Sequence, residues 1–437
     1  MLFMDKSGSK SKTWLILAHC FNMDGRAASQ TITDRIPLLI KEGIVPVVLS
    51  APTGIKDNRF PHYRVISLAP SGILFEMRQI IKKNFQGLFI QNLLKGCLTI
   101  FCLPFYALEK CFIHLDSQWS WFLGASIRGC SLIRRYRPEL IYSTAGPPST
   151  HLTGFILNKM CKIPWLAELH DPLIYDNERQ KWVNYLFKKW LEKRIFRNAS
   201  GIIYFSERAS ENASRRNQIR GKAHVLRPGA APPDISGVSY TRTKKIHFGH
   251  FGSLGEGRTL QVFIQAMHEV LQEKPEWNDL ACLDVYGCEL DAISKKCLSS
   301  CCLDGILCQH GRLEYDPQTG KSGRQQVLEA MRQCDVLLLV HGDDMVSKEY
   351  IPSKVYEYLL TYRPIMGLIA PNSELEKILI NSGHIVIDGR DVNDVKKMIS
   401  EYIQRWKTEG LPDHKKKASF TVEGAVMKLL TITRGFK

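Results

Sequence analysis

The segment EYIPSKVYEYLLTYRPI, residues 349–365, places one glutamate before a proline and another after it. Glu349 lies three residues before Pro352, and Glu357 follows Lys354 by three residues, a spacing that puts two side chains on one face of a helix. Ionised carboxylates can only accept hydrogen bonds, so they suit sugar hydroxyls, which donate them. The segment therefore predicts a helix start that binds a phosphate and is flanked by carboxylates that can bind a sugar.

Pro352 favours a helix that begins at this point, because a residue without an N–H group costs nothing in the first helical turn. The backbone N–H groups of Ser353, Lys354 and Val355 would then point out of the helix end, towards a phosphate. Taken alone, the pattern also fits a helix in which Glu357 complements the helix dipole and the preceding glutamate is a solvated loop charge. Further motifs are needed to decide between these interpretations.

A second candidate phosphate site is the glycine-rich segment KIHFGHFGSLGEGRTL, residues 245–260. A predicted strand runs into four glycines, including Gly252, and a helix is expected to begin at about Thr259. Glycines let a backbone approach a ligand closely, and the following helix start offers N–H groups to a phosphate. Arg258 adds a full positive charge at the same place. The spacing is not that of a dinucleotide fingerprint, and a plain strand-to-helix loop is the alternative.

Short apolar runs alternate with longer helical patterns along the chain, which predicts parallel sheets covered by helices. The predicted strands of the first half are Thr13–Ala18, Val45–Ser50, Arg64–Ser67, Leu140–Ser143, Trp165–Leu169 and Gly201–Phe205. Those of the second half are Lys245–Gly249, Ala281–Tyr286, Gly305–Gln309, Asp335–Val340, Ile365–Leu368 and His384–Ile387. A segment rich in proline, glycine and alanine, Arg227–Asp234, separates the two series. Two similar α/β domains joined near residue 235 are therefore expected.

The 437 residues are enough for two domains, and the net charge of +16 favours a polyanionic partner. Nucleic acid, anionic lipid and phosphorylated substrates all fit that charge, but no nucleic-acid-binding motif accompanies it, so nucleic acid is not expected. The 13 cysteines are scattered along the chain, which indicates a reducing compartment. No C-x-x-C pair occurs in the cysteine-rich region from Cys282 to Cys308, so a zinc site is not expected.

Two segments of the first half could contact an anionic membrane surface. Residues 85–107 carry apolar side chains at helical spacing beside lysines, and residues 181–197 interleave basic and aromatic side chains. The longest apolar run, Gly96–Ala107, contains Pro104 and is shorter than the roughly 18 residues that a membrane-spanning helix needs. No membrane span is therefore expected. The alternatives are a core-facing helix for the first segment and a solvated helix face for the second.

The E-x7-E pair of residues 349 and 357, with PSK, EY and RPI in the same segment, resembles the C-terminal signature of the retaining glycosyltransferases of family 4. FGSLGEGRTLQVFIQA, residues 251–266, is similar to the nucleotide-phosphate loop of that family, and LDVYGCE, residues 283–289, to its next strand. RPELIYSTAGPPSTHLTGFILNKMCKIPWLAELHDP, residues 137–172, is similar to the N-terminal domain of the branch that acts on lipid-linked bacterial saccharides. The resemblance implies an α/β protein of the GT-B fold, with two Rossmann-like doubly wound domains that face a cleft.

The same resemblance implies a division of labour along the chain. Residues 1–235 would form the N-terminal acceptor-binding domain, and residues 236–415 the C-terminal domain that binds the nucleotide-sugar. Residues 416–437 would form a closing helix that returns to the N-terminal domain.

On the donor side, the resemblance assigns roles to the residues of the 349–365 segment. Glu349 matches the first family glutamate, a catalytic residue that contacts the donor sugar near its reacting face. Glu357 matches the second glutamate, which holds the nucleotide ribose. Ser353 and Lys354 fall at the helix start that approaches the diphosphate.

The glycine-rich segment matches the family only in part. Arg258 falls where the family has the second of two basic diphosphate contacts. The first basic contact should lie five residues earlier, directly after Gly252, and this sequence has Ser253 there. One of the two charges of that diphosphate site is therefore missing.

The N-terminal half contributes three further candidates. The loop His19–Ala28 lies where the family has a glycine pair, and only Gly25 is present in it. His170 and Asp171, directly after the predicted strand WLAEL, occupy the position of the family's polar contact to the donor sugar, with His170 as a catalytic candidate.

The resemblance implies transfer of a sugar from a nucleotide-sugar to a saccharide or lipid-linked acceptor, with retention of configuration, in surface polysaccharide or glycoconjugate biosynthesis. No metal and no cofactor are expected, because helix ends and basic side chains would meet the leaving-group charge. The expected location is the cytoplasm, peripheral on the cytoplasmic face of a membrane. The alternatives are an inverting GT-B transferase or a nucleotide-sugar epimerase with Asp171 or His170 as base, and a non-catalytic saccharide-binding partner in a membrane assembly.

Overall fold

The computed structural model describes residues 12–436 except 24–25, 86, 145, 176–181, 220, 232–237, 256, 288, 343, 371, 412 and 415–419. The chain divides into two compact units. Unit 1 contains Met1–Arg227 and Val422–Lys437, and unit 2 contains Pro228–Thr421. The predicted junction at residue 235 lies outside the described residues. Each unit is built on its own parallel sheet, which confirms the predicted α/β class.

Unit 1 contains a seven-stranded sheet with helices in the connections. The strands are Lys12–Leu17 (β1), Ile44–Ser50 (β2), His62–Arg64 (β3), Leu140–Thr144 (β4), Trp165–Leu169 (β5), Gly201–Tyr204 (β6) and Ala223–Val225 (β7). The helices of its first segment are Ala27–Lys41 (α1), Pro70–Asn84 (α2), Leu88–Phe112 (α3), Trp121–Tyr136 (α4), Pro148–Cys161 (α5), Trp182–Asn198 (α6) and Glu207–Asn217 (α7). The strand order is β3-β2-β1-β4-β5-β6-β7. Every residue of β4 and β5 is buried, as is typical of central parallel strands that helices cover on both faces.

Unit 2 contains a six-stranded parallel sheet. Its strands are Ile246–Phe251 (β8), Ala281–Tyr286 (β9), Leu307–Gly311 (β10), Val336–His341 (β11), Ile365–Ile369 (β12) and Ile385–Ile387 (β13). Its helices are Gln261–Glu273 (α8), Ala292–Ser300 (α9), Gly323–Gln333 (α10), Lys354–Leu360 (α11), Ser373–Asn381 (α12) and Val392–Thr408 (α13). The strand order is β10-β9-β8-β11-β12-β13, so the chain adds β9 and β10 on one side of β8 and β11 to β13 on the other. Ligands of doubly wound sheets bind at the point between β8 and β11 where the order of addition changes side.

The predicted strands agree with the structure where the strands are buried, because a buried parallel strand is a continuous apolar run. The edge strands differ. β10 begins two residues later than predicted, because Asp304–Ile306 forms a short 3-10 helix. β3 ends at Arg64, where the predicted strand Arg64–Ser67 begins, and its register with β2 pairs Val48 with His62. β7 was not predicted, because its three half-buried residues are too few to form an apolar run.

α3 corrects two expectations about the apolar segment of the first half. It is not a core-facing helix, since only Cys102 and Glu109 among its 25 residues are buried. It also continues through Pro104 to Phe112, because a proline bends a helix without having to end it. Of the helices that the structure describes, α3 alone is long and apolar enough to cross a membrane by length and composition.

α6 covers the predicted basic and aromatic segment, of which residue 181 lies outside the described residues. Its C-terminal half packs inward through Leu191, Ile195 and Phe196, which are fully buried. Its N-terminal half exposes Trp182 and Trp190. The helix is therefore partly a core element and partly an exposed aromatic surface.

The last described helix, Val422–Thr433 (α14), belongs to unit 1 and packs against α1. It buries Val422, Val426 and Leu429. Its apolar face therefore adds to the core of the unit that contains the first half of the chain.

Candidate functional site

The candidate donor site lies where β8 and β9 end. Because the strands are parallel, Phe251 at the end of β8 and Tyr286 at the end of β9 lie at the same edge of the sheet, with their rings stacked at 4.5 Å between centroids. The chain after β8 forms the glycine loop, residues 252–258, before α8 begins. The loop is thus held at the edge where ligands of such sheets bind.

Two glycines face each other where the glycine loop meets the end of β9. Gly252 has φ +102° and donates its backbone N–H to the carbonyl oxygen of Tyr286 at 3.0 Å. Gly287 has φ +87°, and a Cβ atom there would lie 3.3 Å from the Gly252 nitrogen. Gly255 and Arg258 exchange two backbone hydrogen bonds, of 2.8 and 3.0 Å, which close the loop. A side chain at either facing glycine would strain the backbone and fill the surface next to it.

Lys354 connects the 349–365 segment to the glycine loop. Its Nζ donates to the carbonyl oxygen of Phe251 at 2.9 Å, and a Cβ at Gly252 would lie 3.7 Å from the same nitrogen. The hydroxyl of Tyr358 accepts the backbone N–H of Phe251 at 3.1 Å, so a second side chain of α11 fixes the end of β8. The structure therefore brings Lys354, Gly252 and Arg258 to one end of the unit 2 sheet, with Ser253 exposed in the same loop.

The start of α11 differs in detail from the prediction. The helix has seven residues and begins at Lys354, with the exposed Ser353 before it in a helical conformation and without a side-chain capping hydrogen bond. The N–H group of Val355, expected to be free, donates to the carbonyl oxygen of Pro352 at 3.0 Å. The tight turn around Pro352 uses this donor, which leaves the lysine side chain as the main positive feature.

Glu349 lies in a loop that polar side chains hold from both sides. It is 4% exposed, and its backbone N–H donates to the carbonyl oxygen of Val346 at 2.9 Å. His341, at the end of β11, donates from Nε2 to the carbonyl oxygen of Ser347 at 2.6 Å. Asn372 donates to the same oxygen at 3.0 Å and also caps α12. The position of Glu349 is therefore fixed by the strand end and by the start of α12.

His341 and Asn372 are positioning residues that the sequence reasoning missed. A polar residue directly after an apolar run was the available signal for His341, since VLLLVH ends in a histidine at the carboxyl end of a parallel strand. Asn372 carries the ordinary signal of a helix cap and gave no indication of its second contact.

Glu357 faces a partner that was not predicted. Its carboxylate oxygen Oε1 lies 3.6 Å from the guanidinium nitrogen Nη2 of Arg324, which lies on α10. The Glu357 side chain is 21% exposed, so water and a ligand can still reach it. A ribose at this carboxylate would share it with the arginine.

Two buried histidines lie near the positive charges of this region. Burial, followed by the charges of Lys354 and Arg258, holds the pKa of His250 well below its ordinary value. Burial also lowers the pKa of His341, with Arg258 and Lys354 acting in the same direction and the Ser347 carbonyl opposing them. Both rings are therefore neutral at pH 7, and the two basic side chains create a field that favours an anion.

In unit 1, His170 belongs to a buried polar network at the end of β5. Its Nε2 lies 3.0 Å from Oε1 of Glu168, and its ring stacks on Phe205 at 4.2 Å. Glu168 is fully buried and accepts from Arg35 at 2.5 Å and from Thr144 at 2.7 Å. A glutamate inside the apolar run WLAEL was the sequence signal for this pair, but its partner lies 133 residues away.

Glu168 selects the tautomer of the neutral His170 ring. Burial opposes ionisation of Glu168, but the Arg35 guanidinium and the hydrogen bond from His170 hold the pKa of this carboxyl below its usual range. An ionised carboxylate can only accept, so Nε2 of His170 carries the hydrogen and Nδ1 is the acceptor nitrogen. Asp171 is exposed beside it, and Gly25 lies outside the described residues.

A cluster of possible metal ligands lies on the unit 2 sheet, where the cysteine spacing did not predict one. His247, Cys282 and Asp284 place one ligand atom each within 4.8 Å of one another. Asp284 accepts from His247 at 2.7 Å and from His310 at 2.6 Å, and the sulfur of Cys308 lies 3.0 Å from that of Cys282. The two histidines hydrogen-bond the buried carboxylate, and the cluster lies before the strand ends that carry the glycine loop.

Comparison with known proteins matches part of unit 1 to a glycosyltransferase family model. Residues 103–229 match the family model described as a glycosyl transferase 4-like domain, which covers less than a third of the chain. The matched region contains α4–α7, β4–β7 and both Glu168 and His170 but not Arg35, and it lies in unit 1 apart from its last two residues. No curated protein matches the sequence significantly.

Solved structures match over almost the whole chain. HepE of Anabaena in complex with UDP has a TM-score of 0.59 and 13% identity, over 97% of this chain and 99% of that one. Sucrose-phosphate synthase of Thermosynechococcus elongatus has a TM-score of 0.61 and 11% identity, over 97% and 98%. The chain has the GT-B fold. A putative UDP-N-acetylglucosamine 2-epimerase of Listeria monocytogenes is less similar, with a TM-score of 0.52 and 10% identity over 98% and 96%.

Proposed function

We propose that this GT-B chain is a glycosyltransferase that moves a sugar from a nucleotide-sugar to a saccharide or lipid-linked acceptor. The observation that supports the proposal most is the contact between Lys354 and the end of β8. It places an ammonium group directly at the glycine loop, with Arg258 in that loop and Glu349 in the segment before α11. A diphosphate next to a sugar is the ligand that matches two cations and a nearby carboxylate.

On the donor side, Lys354 and Arg258 would bind the diphosphate and stabilise the negative charge that develops on it as the glycosidic bond breaks. Gly252 and Gly287 would let the phosphates approach the backbone. Ser253 can supply a hydroxyl but no charge, so we expect diphosphate binding to depend mainly on Lys354 and Arg258. This cationic site would make the transfer independent of a metal ion.

The two glutamates would act on different parts of the donor. Glu349, buried in a loop that His341 and Asn372 hold, would accept hydrogen bonds from the donor sugar. Glu357 would accept from the ribose while it also contacts Arg324. We expect retention of configuration, with the departing phosphate taking the proton of the acceptor hydroxyl.

The His170 network supports a second candidate, an inverting transferase. Because Glu168 holds the hydrogen on Nε2, Nδ1 of His170 could take a proton from an acceptor hydroxyl as a general base. The anomeric configuration of the product, read by NMR, separates the two candidates. An inverted product from the wild-type protein, together with loss of transfer in a His170→Gln variant, would favour the second candidate.

The proposed location is peripheral, on the cytoplasmic face of a membrane, where a lipid-linked acceptor of surface polysaccharide or glycoconjugate biosynthesis would be met. The net charge of +16 and the exposed aromatic residues of α6 support this location. Basic residues near an anionic surface contribute about 1 kcal/mol each, so Lys188→Glu with Lys189→Glu should weaken attachment to anionic vesicles.

The function is tested by a thermal-shift screen of nucleotide-sugars, followed by turnover with the nucleotide-sugar that stabilises the protein. UDP-glucose belongs in the first set, since HepE has been solved with it. Stabilisation by a nucleotide-sugar and transfer to a saccharide or lipid-linked acceptor is the expected result. Stabilisation without any transfer would instead support a non-catalytic binding partner, and interconversion of the free nucleotide-sugar would support an epimerase.

A further inference from the structure

α3 exposes an apolar surface that no other part of unit 1 covers among the described residues. Ten large apolar side chains of this helix are exposed: Leu88, Phe89, Ile90, Leu93, Ile100, Phe101, Leu103, Phe105, Leu108 and Phe112. Five of them are more than 70% exposed, and Phe89 is the most exposed at 80%. A contiguous apolar surface of this kind is rare on a soluble monomer and marks a contact with a partner or a lipid phase.

One stripe of α3 is already bound to the protein. Glu109 accepts from the backbone N–H and the hydroxyl of Ser71, at 2.8 and 2.5 Å, and from the indole nitrogen of Trp119 at 2.7 Å. Two turns or more towards the N-terminus, Thr99 accepts from Arg78 at 2.9 Å. Ser71 and Arg78 belong to α2, so α3 lies along α2 and turns its opposite face outward.

The charges of α3 lie on the stripe that faces the protein. Lys95 and Lys110 are half-buried and Glu109 is buried, and these are the three charged residues between Leu88 and Phe112. The outward face therefore carries no charge over the full length of the helix, which is about 37 Å at 1.5 Å per residue. Protein interfaces keep a polar rim, whereas an uncharged face of this length matches the hydrocarbon of a bilayer.

The sheet of unit 1 decides how α3 can meet a bilayer. β1 precedes α3 in the chain and β4 follows it, yet the two strands pair directly, with Trp14 opposite Leu140 and Leu17 opposite Ser143. If α3 crossed the bilayer once, these paired strands would lie on opposite sides of it. Since no other described helix is long and apolar enough to return the chain, both ends of α3 must stay on one side.

We propose that α3 is an in-plane membrane anchor that lies lengthwise in one leaflet and does not span the bilayer. The inference deepens the peripheral location given under the proposed function. It rests on that proposal in one respect, namely that a lipid-linked acceptor is the reason for a membrane location. An in-plane helix sinks about 5–10 Å into the boundary of headgroups and acyl chains, where its uncharged face is surrounded by lipid. The exposed Lys82 and Lys83 at the end of α2 would then lie at the headgroups. Attachment through α3 is hydrophobic and persists at high salt, and the basic residues of α6 add an attraction to anionic lipid that salt weakens.

The test is flotation of the full-length protein with vesicles of phosphatidylcholine alone or with phosphatidylglycerol added, at low salt and at 1 M salt. We expect the wild type to float with both vesicle types at both salt concentrations. The variant Phe101→Glu with Phe105→Glu should bind at least tenfold more weakly to neutral vesicles. Ile293→Glu, which adds a charge at an exposed apolar position on α9 of unit 2, is the matched control and should bind like the wild type.

Circular dichroism and the thermal shift with nucleotide-sugar report whether the variants are folded, so a failure of donor binding is separate from a failure of membrane binding. Loss of flotation of the wild type at 1 M salt would overturn the proposal in favour of electrostatic attachment. A second possible result is that the wild type forms a dimer in solution, that Phe101→Glu with Phe105→Glu dissociates this dimer, and that neither protein floats with vesicles. This result would overturn the proposal, because α3 would then bind a second copy of the chain. Cleavage of α3 or its flanking residues by a protease enclosed in the vesicles would show that α3 reaches the vesicle interior. This result would overturn the in-plane orientation.

Discussion

The ammonium nitrogen of Lys354 lies 2.9 Å from the carbonyl oxygen of Phe251 and so joins the start of α11 to the end of β8. The two residues are 103 positions apart in the chain. The contact gives the lysine a fixed place next to Gly252, where a flexible side chain would otherwise sample many rotamers. A cation fixed beforehand costs less entropy to place against a phosphate.

The first prediction concerns this lysine. Lys354→Met should weaken the binding of a nucleotide-sugar roughly ten- to hundredfold, since a hydrogen bond to a charged group contributes about 1.5–3 kcal/mol. Titration calorimetry measures the change. Lys377→Met removes an exposed lysine from α12 and should leave the affinity unchanged. Equal effects of the two substitutions would mean that Lys354 does not contact the ligand.

Glu349→Gln should reduce the rate of transfer about hundredfold or more and leave nucleotide affinity nearly unchanged. The reason is that this carboxylate is proposed to contact the sugar and not the nucleotide. Single-turnover kinetics and titration with the nucleoside diphosphate alone separate the two effects. A variant that loses diphosphate affinity but transfers at the normal rate when saturated would contradict the assignment.

Glu357→Gln should weaken nucleotide affinity by roughly tenfold or more, because one charged hydrogen bond to the ribose is lost. Arg324→Gln is the informative control, since it removes the ion pair of this carboxylate and keeps the carboxylate itself. Its effect on affinity should be smaller. If both variants lose affinity to the same extent, the role of Glu357 is to hold Arg324, and the ribose contact lies elsewhere.

Transfer should survive chelation. Lys354 and Arg258 are proposed to supply the positive charge that other transferases take from a divalent ion, so EDTA should leave the initial rate of a desalted preparation unchanged. Full loss of the rate in EDTA, with recovery on addition of magnesium or manganese, would show that a metal completes the donor site.

The stability of unit 1 should depend on pH through His62. Its Nδ1 accepts from the backbone N–H of Asp57 at 3.0 Å, and its Nε2 lies 2.8 Å from the Ser50 hydroxyl. Burial, followed by the charge of Arg64, lowers the pKa of His62 from 6.5 to about 4. Between these values the unfolded chain binds a proton that the folded chain does not, so the free energy of unfolding should fall as the pH decreases from 6.5 to about 4.

Urea denaturation over that range, followed for the wild type and for His62→Gln, measures the contribution of this ring. The glutamine cannot take the proton, so the variant should show a smaller loss of stability between the two pH values. An unchanged slope in the variant would assign the pH dependence to other groups.

Several parts of the fold could be predicted because local sequence determines them. The central strands β4, β5 and β11 are mainly apolar runs, as is typical of strands buried on both faces. The glycine loop was located by its composition, since the positive φ angles of Gly252 and Gly255 exclude most other residues. The helix after Pro352 was also expected, although its start at Lys354 and the use of the Val355 N–H group were not.

The contacts that assemble the candidate sites could not be predicted in this way. The pairing of Arg35 with Glu168 depends on how α1 packs against β5. The contact of Glu357 with Arg324 depends on the approach of α10 and α11. Each joins side chains that no local spacing relates, so only the packing of whole elements brings them together.

By itself, the sequence determined the α/β class and the central strands and supplied the candidates for nucleotide-sugar binding, because periodicity and residue chemistry are local properties. Only the tertiary structure decided that Lys354 reaches the glycine loop, that Glu168 orients His170, and that α3 turns an uncharged face outward. An apolar helix has the same composition in a core, across a bilayer or within one leaflet. The exposure of α3 excludes a core helix. The pairing of β1 with β4 argues against a single crossing of a bilayer, because paired strands must lie on the same side of a membrane.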